Sequence, residues 1–351
     1  MLVANRFTKN SIKIIFYFTY IVVVLLLTFR PDTIPDYISY NDIFNKVNRS
    51  LLGTNFLAKD YTVGVEYGFI FLIYIFKLIF GNNFRLFLFF LTSITIIVTV
   101  WYMEKIVNQM SAYSVKDRWI NRYIILGLFY SHFGLQYQGI AIRTALSFCF
   151  FIIALYMVIG KKYITSLLWL VIGFTVHRMT VIGFGIIFLY ILIPHIRKKH
   201  IKIFGYIVFI SIITVYVTGR VSWILKIANQ VENYIFSFIN YSNYIVGIGE
   251  NGNLGNNGIY LLIVIFSAFI MYKEGKIMGI LLGLLGIGGI TILATVNISG
   301  ASRIYDYFIL LLCPALVEGV CKRNRKITYL LYLCLIICLN SIVSFRIWGV
   351  M

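Results

Sequence analysis

Long apolar runs separated by short polar breaks fill most of the 351-residue chain. A helix needs about 20 mainly apolar residues to cross the hydrocarbon core of a bilayer. Arg6, Lys9 and Lys13 precede a first run from Ile14 to Phe29, which predicts a helix entered from a basic, cytoplasmic side. The stretch from 30 to 65 is polar and turn-rich, and its prolines, Asp36, Asp42 and the Tyr37/Tyr40 pair predict an ordered extracytoplasmic loop or a short helix. Glu66 then opens an apolar run to Phe80, a GNNFR break follows, and Leu86 to Met103 is apolar again, so that the two runs read as a helical hairpin. Residues 104–122 are mixed and amphipathic. Further runs fall at 123–134, 143–159, 163–177, 179–194, 201–217, 259–272, 277–297, 303–320 and 327–345, with a second extracytoplasmic loop at 218–258.

This pattern predicts an all-α polytopic membrane protein of about 11 or 12 spans, a single transmembrane domain over 1–351 with no soluble domain. Composition agrees: 60% of residues are hydrophobic, 12% are charged and mean hydropathy is +0.89, outside the range of soluble domains. The first apolar run lacks a small-x-small cleavage site, so the first helix is expected to stay in the mature protein. The net charge of +19 sits in short clusters between spans and not along one solvated face, which marks topology and excludes a nucleic-acid partner. The five cysteines form neither a disulfide framework nor a metal spacing. Gly279, Gly283 and Gly286 have the small-residue spacing of close helix packing.

The basic clusters orient the second half. Placing 161–162, 197–202, 273–276 and 322–326 in the cytoplasm puts twelve Lys and Arg inside, against Arg143, Arg178, Arg220, Lys226 and Arg303 outside. The ends carrying Arg143, His177, Arg178 and Arg303 then face outward together. Twelve full spans with a cytoplasmic amino terminus would invert this pattern. Either one run between Glu66 and Gly139 is re-entrant or merged with its neighbour, or the amino terminus lies outside.

An ionisable residue within an apolar span costs about 2.5–3.5 kcal/mol on insertion scales and usually faces a functional cavity. Arg143 offers a planar fork of donors suited to phosphate oxygens; its alternative is a side chain snorkelling to lipid headgroups. His177, at the turn of an apolar hairpin, has the chemistry of a base for a hydroxyl nucleophile, against the alternative of a satisfied buried histidine. Arg303 stands one turn before Asp306 and either binds an anion, with Tyr305, Asp306 or Tyr307 positioning it, or forms an ion pair at the membrane border. Glu66, Asp36 and Asp42 are carboxylates of the outer side, able to orient a sugar hydroxyl or pair with an arginine. His132, His195 and His200 stay outside this group. The Gly/Asn-rich stretch 241–258 has no GKS/T and no strand–turn–helix context, so no nucleotide loop is predicted.

In order along the chain, PDYISYNDIF, EYGF opening a helix, AIRTALS, FTVHRMTVI and SRIYDYFILLLCP resemble the EpsG-type and Wzy-type polysaccharide polymerases of bacterial membranes. The resemblance covers about 36 to 314. Thr144 stands where the family's common form carries Gln, and Arg178 where it carries a small residue. The resemblance implies a bundle similar to the GT-C-type O-antigen ligases, in the bacterial cytoplasmic membrane. It also implies metal-independent, cofactor-free inverting transfer of undecaprenyl-pyrophosphate-linked repeat units into O-antigen, capsule or exopolysaccharide on the outer face. Arg143 and Arg303 would bind the donor pyrophosphate, His177 would deprotonate or orient the acceptor hydroxyl, and a chain-length regulator and a flippase would be partners. The competing readings are a flippase for the same lipid-linked sugars, although no internal repeat is visible, a membrane O-acyltransferase, whose acyl donor would be on the other side of the membrane from His177, and a structural subunit of an export complex.

Overall fold

The computed structural model describes residues 2–32, 35–47, 65–110, 119, 122, 125–127, 141–192 and 307. Every described element is helical: α1 (Leu2–Thr28), α2 (Pro35–Lys46), α3 (Tyr67–Phe80), α4 (Phe84–Met110), α5 (Ile142–Ile159), α6 (Tyr163–Val176), a 3-10 turn (Arg178–Thr180) and α7 (Val181–Leu192). Elements through Thr180 belong to one compact unit, and α7 and Tyr307 to a second. The helices α1, α4 and α5 include apolar stretches long enough to cross a membrane, and the chain is a polytopic membrane protein. The predicted Arg303, Tyr305 and Asp306 lie outside the described residues.

One boundary differs from expectation for a local reason. The helix α4 continues past Met103 because Glu104 finds partners in Asn108, one turn on, and in Arg122 at 2.5 Å.

Side-chain pairs fix the helix directions in the first unit. Phe29 meets Arg85, Tyr20 donates to the Ser93 carbonyl, and Lys13 and Phe16 meet Trp119, so α1 runs antiparallel to α4. Cys149 meets Thr95 and Thr99, and Tyr156 meets Tyr102 and Lys105, so α4 and α5 run parallel. The helices α5 and α6 form an antiparallel hairpin through Gly160–Lys162, where Lys161 takes a left-handed φ of 60°. The end of α1 and the starts of α4 and α5 thus share one end with the end of α6. At the other end Lys13, Lys105 and Arg122 lie over Trp101, Tyr102, Trp119 and Tyr156, a basic and aromatic belt of the kind found at a membrane border.

The helix α3 does not run the length of this bundle. Phe69 and Phe76, two turns apart, both pack on Phe87 in the first turn of α4, with ring centroids 6.2 and 5.2 Å away. It therefore crosses the end of α4 steeply and stays at the end where α5 begins. It does not form with α4 the full-length hairpin that the sequence suggested. The amphipathic α2 lies beside it: Tyr40 packs on Phe69, and Phe44 on Phe76, Phe84 and Phe87. Lys77, buried within apolar α3, donates to the Val47 carbonyl at 2.6 Å and lies 4.5 Å over Phe44. Lys77 thus caps the carbonyl that follows α2, and this bond offsets part of the cost of burying its charge.

Contact between α3 and α6 is closest at Gly68, where an added Cβ would lie 2.5 Å from Thr175 Oγ1 and 2.7 Å from the Thr175 carbonyl carbon and oxygen. Two of these three atoms are backbone, so a helix has to move. Gly68→Ala is expected to cost about 1–3 kcal/mol as an overpacking change. Because Gly68 and Thr175 each stand two residues from an ionisable group described below, it is also expected to reduce activity. Thermal unfolding of the purified variant in detergent checks the first effect, and wild-type stability would show that the contact yields.

Candidate active site

Three helix termini meet at the common end. Glu66 precedes α3, Arg143 stands in the first turn of α5, and His177 follows α6. His177 leaves the helix in extended backbone (φ −156°, ψ 120°), while its N–H still bonds the Gly173 carbonyl. Its own carbonyl accepts from both the N–H and the hydroxyl of Thr180, at 3.0 and 2.7 Å. The following 3-10 turn therefore fixes the His177 backbone.

The Glu66 carboxylate joins the group. Oε2 accepts from Arg143 Nη1 at 2.5 Å, while Oε1 lies 3.0 Å from His177 Nδ1 and accepts from the Arg178 N–H at 3.1 Å. Side-chain exposure is 6% for Glu66, 2% for His177 and 15% for Arg143, so the guanidinium is the most accessible member. Burial pushes the Glu66 carboxyl pKa up, but the His177 hydrogen bond, the His177 and Arg143 charges and the Arg178 N–H outweigh it and hold the group below the ordinary carboxylate range. An ionised carboxylate only accepts, so Nδ1 carries a proton, and in the neutral imidazole, the form a base requires, Nε2 then holds the lone pair; the tautomer is assigned from this network. On the other side of the ring, Thr144 Oγ1 lies 3.1 Å from Nε2. Arg143 Nε donates to the Tyr40 hydroxyl at 3.4 Å, and its guanidinium lies 5.7 Å from the centroid of that ring.

Of the sequence-predicted residues, the structure brings His177, Arg143 and Glu66 into direct contact, and Arg178 contributes through its backbone N–H. Asp42 points elsewhere: it pairs with Lys46 one turn on, both side chains 57% exposed. Asp36, in the first turn of α2, acts on the buried Arg30. Sequence reasoning assigned no role to Thr144, Tyr40 or Arg30. Arg30, packed 5.5 Å from the Tyr37 ring centroid, is pulled down to about 10 by burial, partly offset by Tyr40, Tyr37 and Asp36, and so remains charged at neutral pH. The signal for Thr144 was its place beside Arg143 on the helix leading into the site.

The depressed Glu66 pKa has a stability consequence. A carboxyl lowered on folding stabilises the folded state above its unfolded pKa, near 4.5, and that contribution is lost as pH falls through the lower folded value. The stability difference between wild type and Glu66→Gln is therefore expected to be constant at neutral pH and to shrink below about pH 4.5. Melting temperatures of both proteins across this range check it, and a pH-independent difference would mean that folding leaves the Glu66 pKa unchanged.

The model of the EpsG family matches residues 13–350 of the chain. No curated protein and no solved structure matches it.

Proposed function

Since the chain belongs to the EpsG family of Wzy-type polysaccharide polymerases, we propose that it joins undecaprenyl-pyrophosphate-linked repeat units into a surface polysaccharide by inverting glycosyl transfer. The reaction takes place on the outer face of the bacterial cytoplasmic membrane, without a metal. The single observation that carries this reading is the Glu66 carboxylate held between His177 Nδ1 and Arg143.

A hydroxyl nucleophile needs a base, and a pyrophosphate leaving group needs fixed positive charge where negative charge develops. His177 is the base: Glu66 fixes its tautomer and stabilises the imidazolium formed as Nε2 takes up the acceptor's proton. Arg143, the most exposed member, receives the pyrophosphate of the donor, and Arg303 provides a second cation, with Tyr305 and Asp306 positioning it. The bilayer holds the polyprenyl tails, and a flippase supplies the units while a separate chain-length regulator sets polymer size.

The test is the glycan profile of a deletion strain, on a gel resolving single repeat units, with mass analysis of its lipid-linked intermediates. Single units reaching their outer-face acceptor while long chains vanish is the expected result. Lipid-linked units retained on the cytoplasmic side with nothing displayed would instead make the protein a flippase.

A further inference from the structure

Both nitrogens of the His177 ring are engaged. Nδ1 donates its N–H to Glu66 Oε1, and Nε2, the lone pair that a base must use, faces Thr144 Oγ1 at 3.1 Å. With Nε2 unprotonated, the Thr144 hydroxyl is the donor of that bond. Thr144 and His177 are both buried, and the threonine hydroxyl occupies the hydrogen-bonding position at Nε2, so an acceptor hydroxyl reaches that lone pair through the threonine or by displacing it. The hydroxyls of Thr28, Thr95 and Thr175 donate to backbone carbonyls three or four residues back in their own helices. Thr144 instead reaches across from α5 to the residue ending α6. It is next in the chain to Arg143, so the hydroxyl and the guanidinium enter the site from the same helical turn.

We infer that Thr144 is a proton relay between the acceptor hydroxyl and His177, an inference resting on the reading of His177 as the base. As the acceptor oxygen bonds the anomeric carbon, the bond from that carbon to the pyrophosphate oxygen breaks and its electron pair leaves with the pyrophosphate. The acceptor's proton passes to Thr144 Oγ1, and the threonine's own proton passes to His177 Nε2. The threonine ends as it began, the imidazole becomes an imidazolium facing the Glu66 carboxylate, and no further reactant is required. Two protons move in this step where direct abstraction by histidine moves one.

The experiment uses the full-length protein in proteoliposomes, with lipid-linked repeat units extracted from the deletion strain as substrate. Thr144→Val keeps the shape and removes the hydroxyl; turnover is expected to fall about 10²–10³-fold, within the range of general acid–base contributions, with KM little changed. Thr144→Ser is expected to restore turnover to within about tenfold of wild type, since the serine hydroxyl makes the same relay. In mixtures of light and heavy water the wild-type rate is expected to curve with deuterium fraction, the signature of two protons in flight. Wild-type turnover in Thr144→Val, a loss confined to KM, or a linear solvent dependence of the wild-type rate would each overturn the relay. The last needs no variant and decides the matter if Thr144→Val does not fold. His177→Asn separates the two levels of the account. If it is inactive while Thr144→Val is fully active, only the relay fails; if it keeps wild-type turnover, the histidine is not the base and both readings fail.

Discussion

His177→Asn is expected to abolish long-chain polysaccharide, with at least a 10²–10⁴-fold loss of turnover, the range assigned to a positioned general base. Asparagine retains a polar side chain but has no lone pair basic enough to take a proton at neutral pH, so a neutral buried group is exchanged for another without stranding a charge. The main structural risk is small because the His177 backbone is held by Gly173 and Thr180 independently of the ring. Membrane abundance measured by immunoblot should stay near wild type while the glycan ladder collapses to single repeat units. Unchanged long chains at equal abundance would show that the imidazole plays no part in the chemistry.

Arg143→Lys is expected to reduce turnover by roughly 10²–10³-fold, the cost of removing one preorganised donor to developing charge. Lysine keeps the positive charge beside Glu66, which matters because leaving one member of a buried ion pair alone costs about 3–5 kcal/mol. It does not keep the planar fork that reaches Glu66 and Tyr40 together, nor the geometry for two phosphate oxygens. The lysine variant therefore separates geometry from charge, while Arg143→Ala is expected to lose stability as well as activity. Melting temperature and polymer length measured on both variants check this. Wild-type chains from Arg143→Lys would show that a point charge suffices and that the fork has no role.

The helices were legible because their apolar runs end at charges, glycines and prolines: Lys161 and Lys162 mark the turn between α5 and α6, and Gly81 the end of α3. The convergence of Arg143 and His177 followed from charge asymmetry, since one orientation of the second half sends both outward. What the pattern did not contain was the direction of α3. A fourteen-residue, mainly apolar helix suits a steep crossing or a short span equally well, and only the shared contact of Phe69 and Phe76 with Phe87 distinguishes the two. Glu66 was one of three candidate carboxylates of the outer side with nothing in sequence to rank them, because its partners are 77 and 111 residues away. Asp42 differs from it in a way the sequence does contain, having Lys46 one turn later to pair with. Thr144 was hidden by its ordinariness: a threonine in an apolar helix normally bonds its own backbone.

The most direct measurement is polymerisation by the purified protein in proteoliposomes supplied with lipid-linked repeat units extracted from the deletion strain. The account predicts a ladder of extended chains with one undecaprenyl pyrophosphate released per bond formed, and no ladder from His177→Asn. Repeat units crossing the bilayer with no new glycosidic bond and no released pyrophosphate would contradict it.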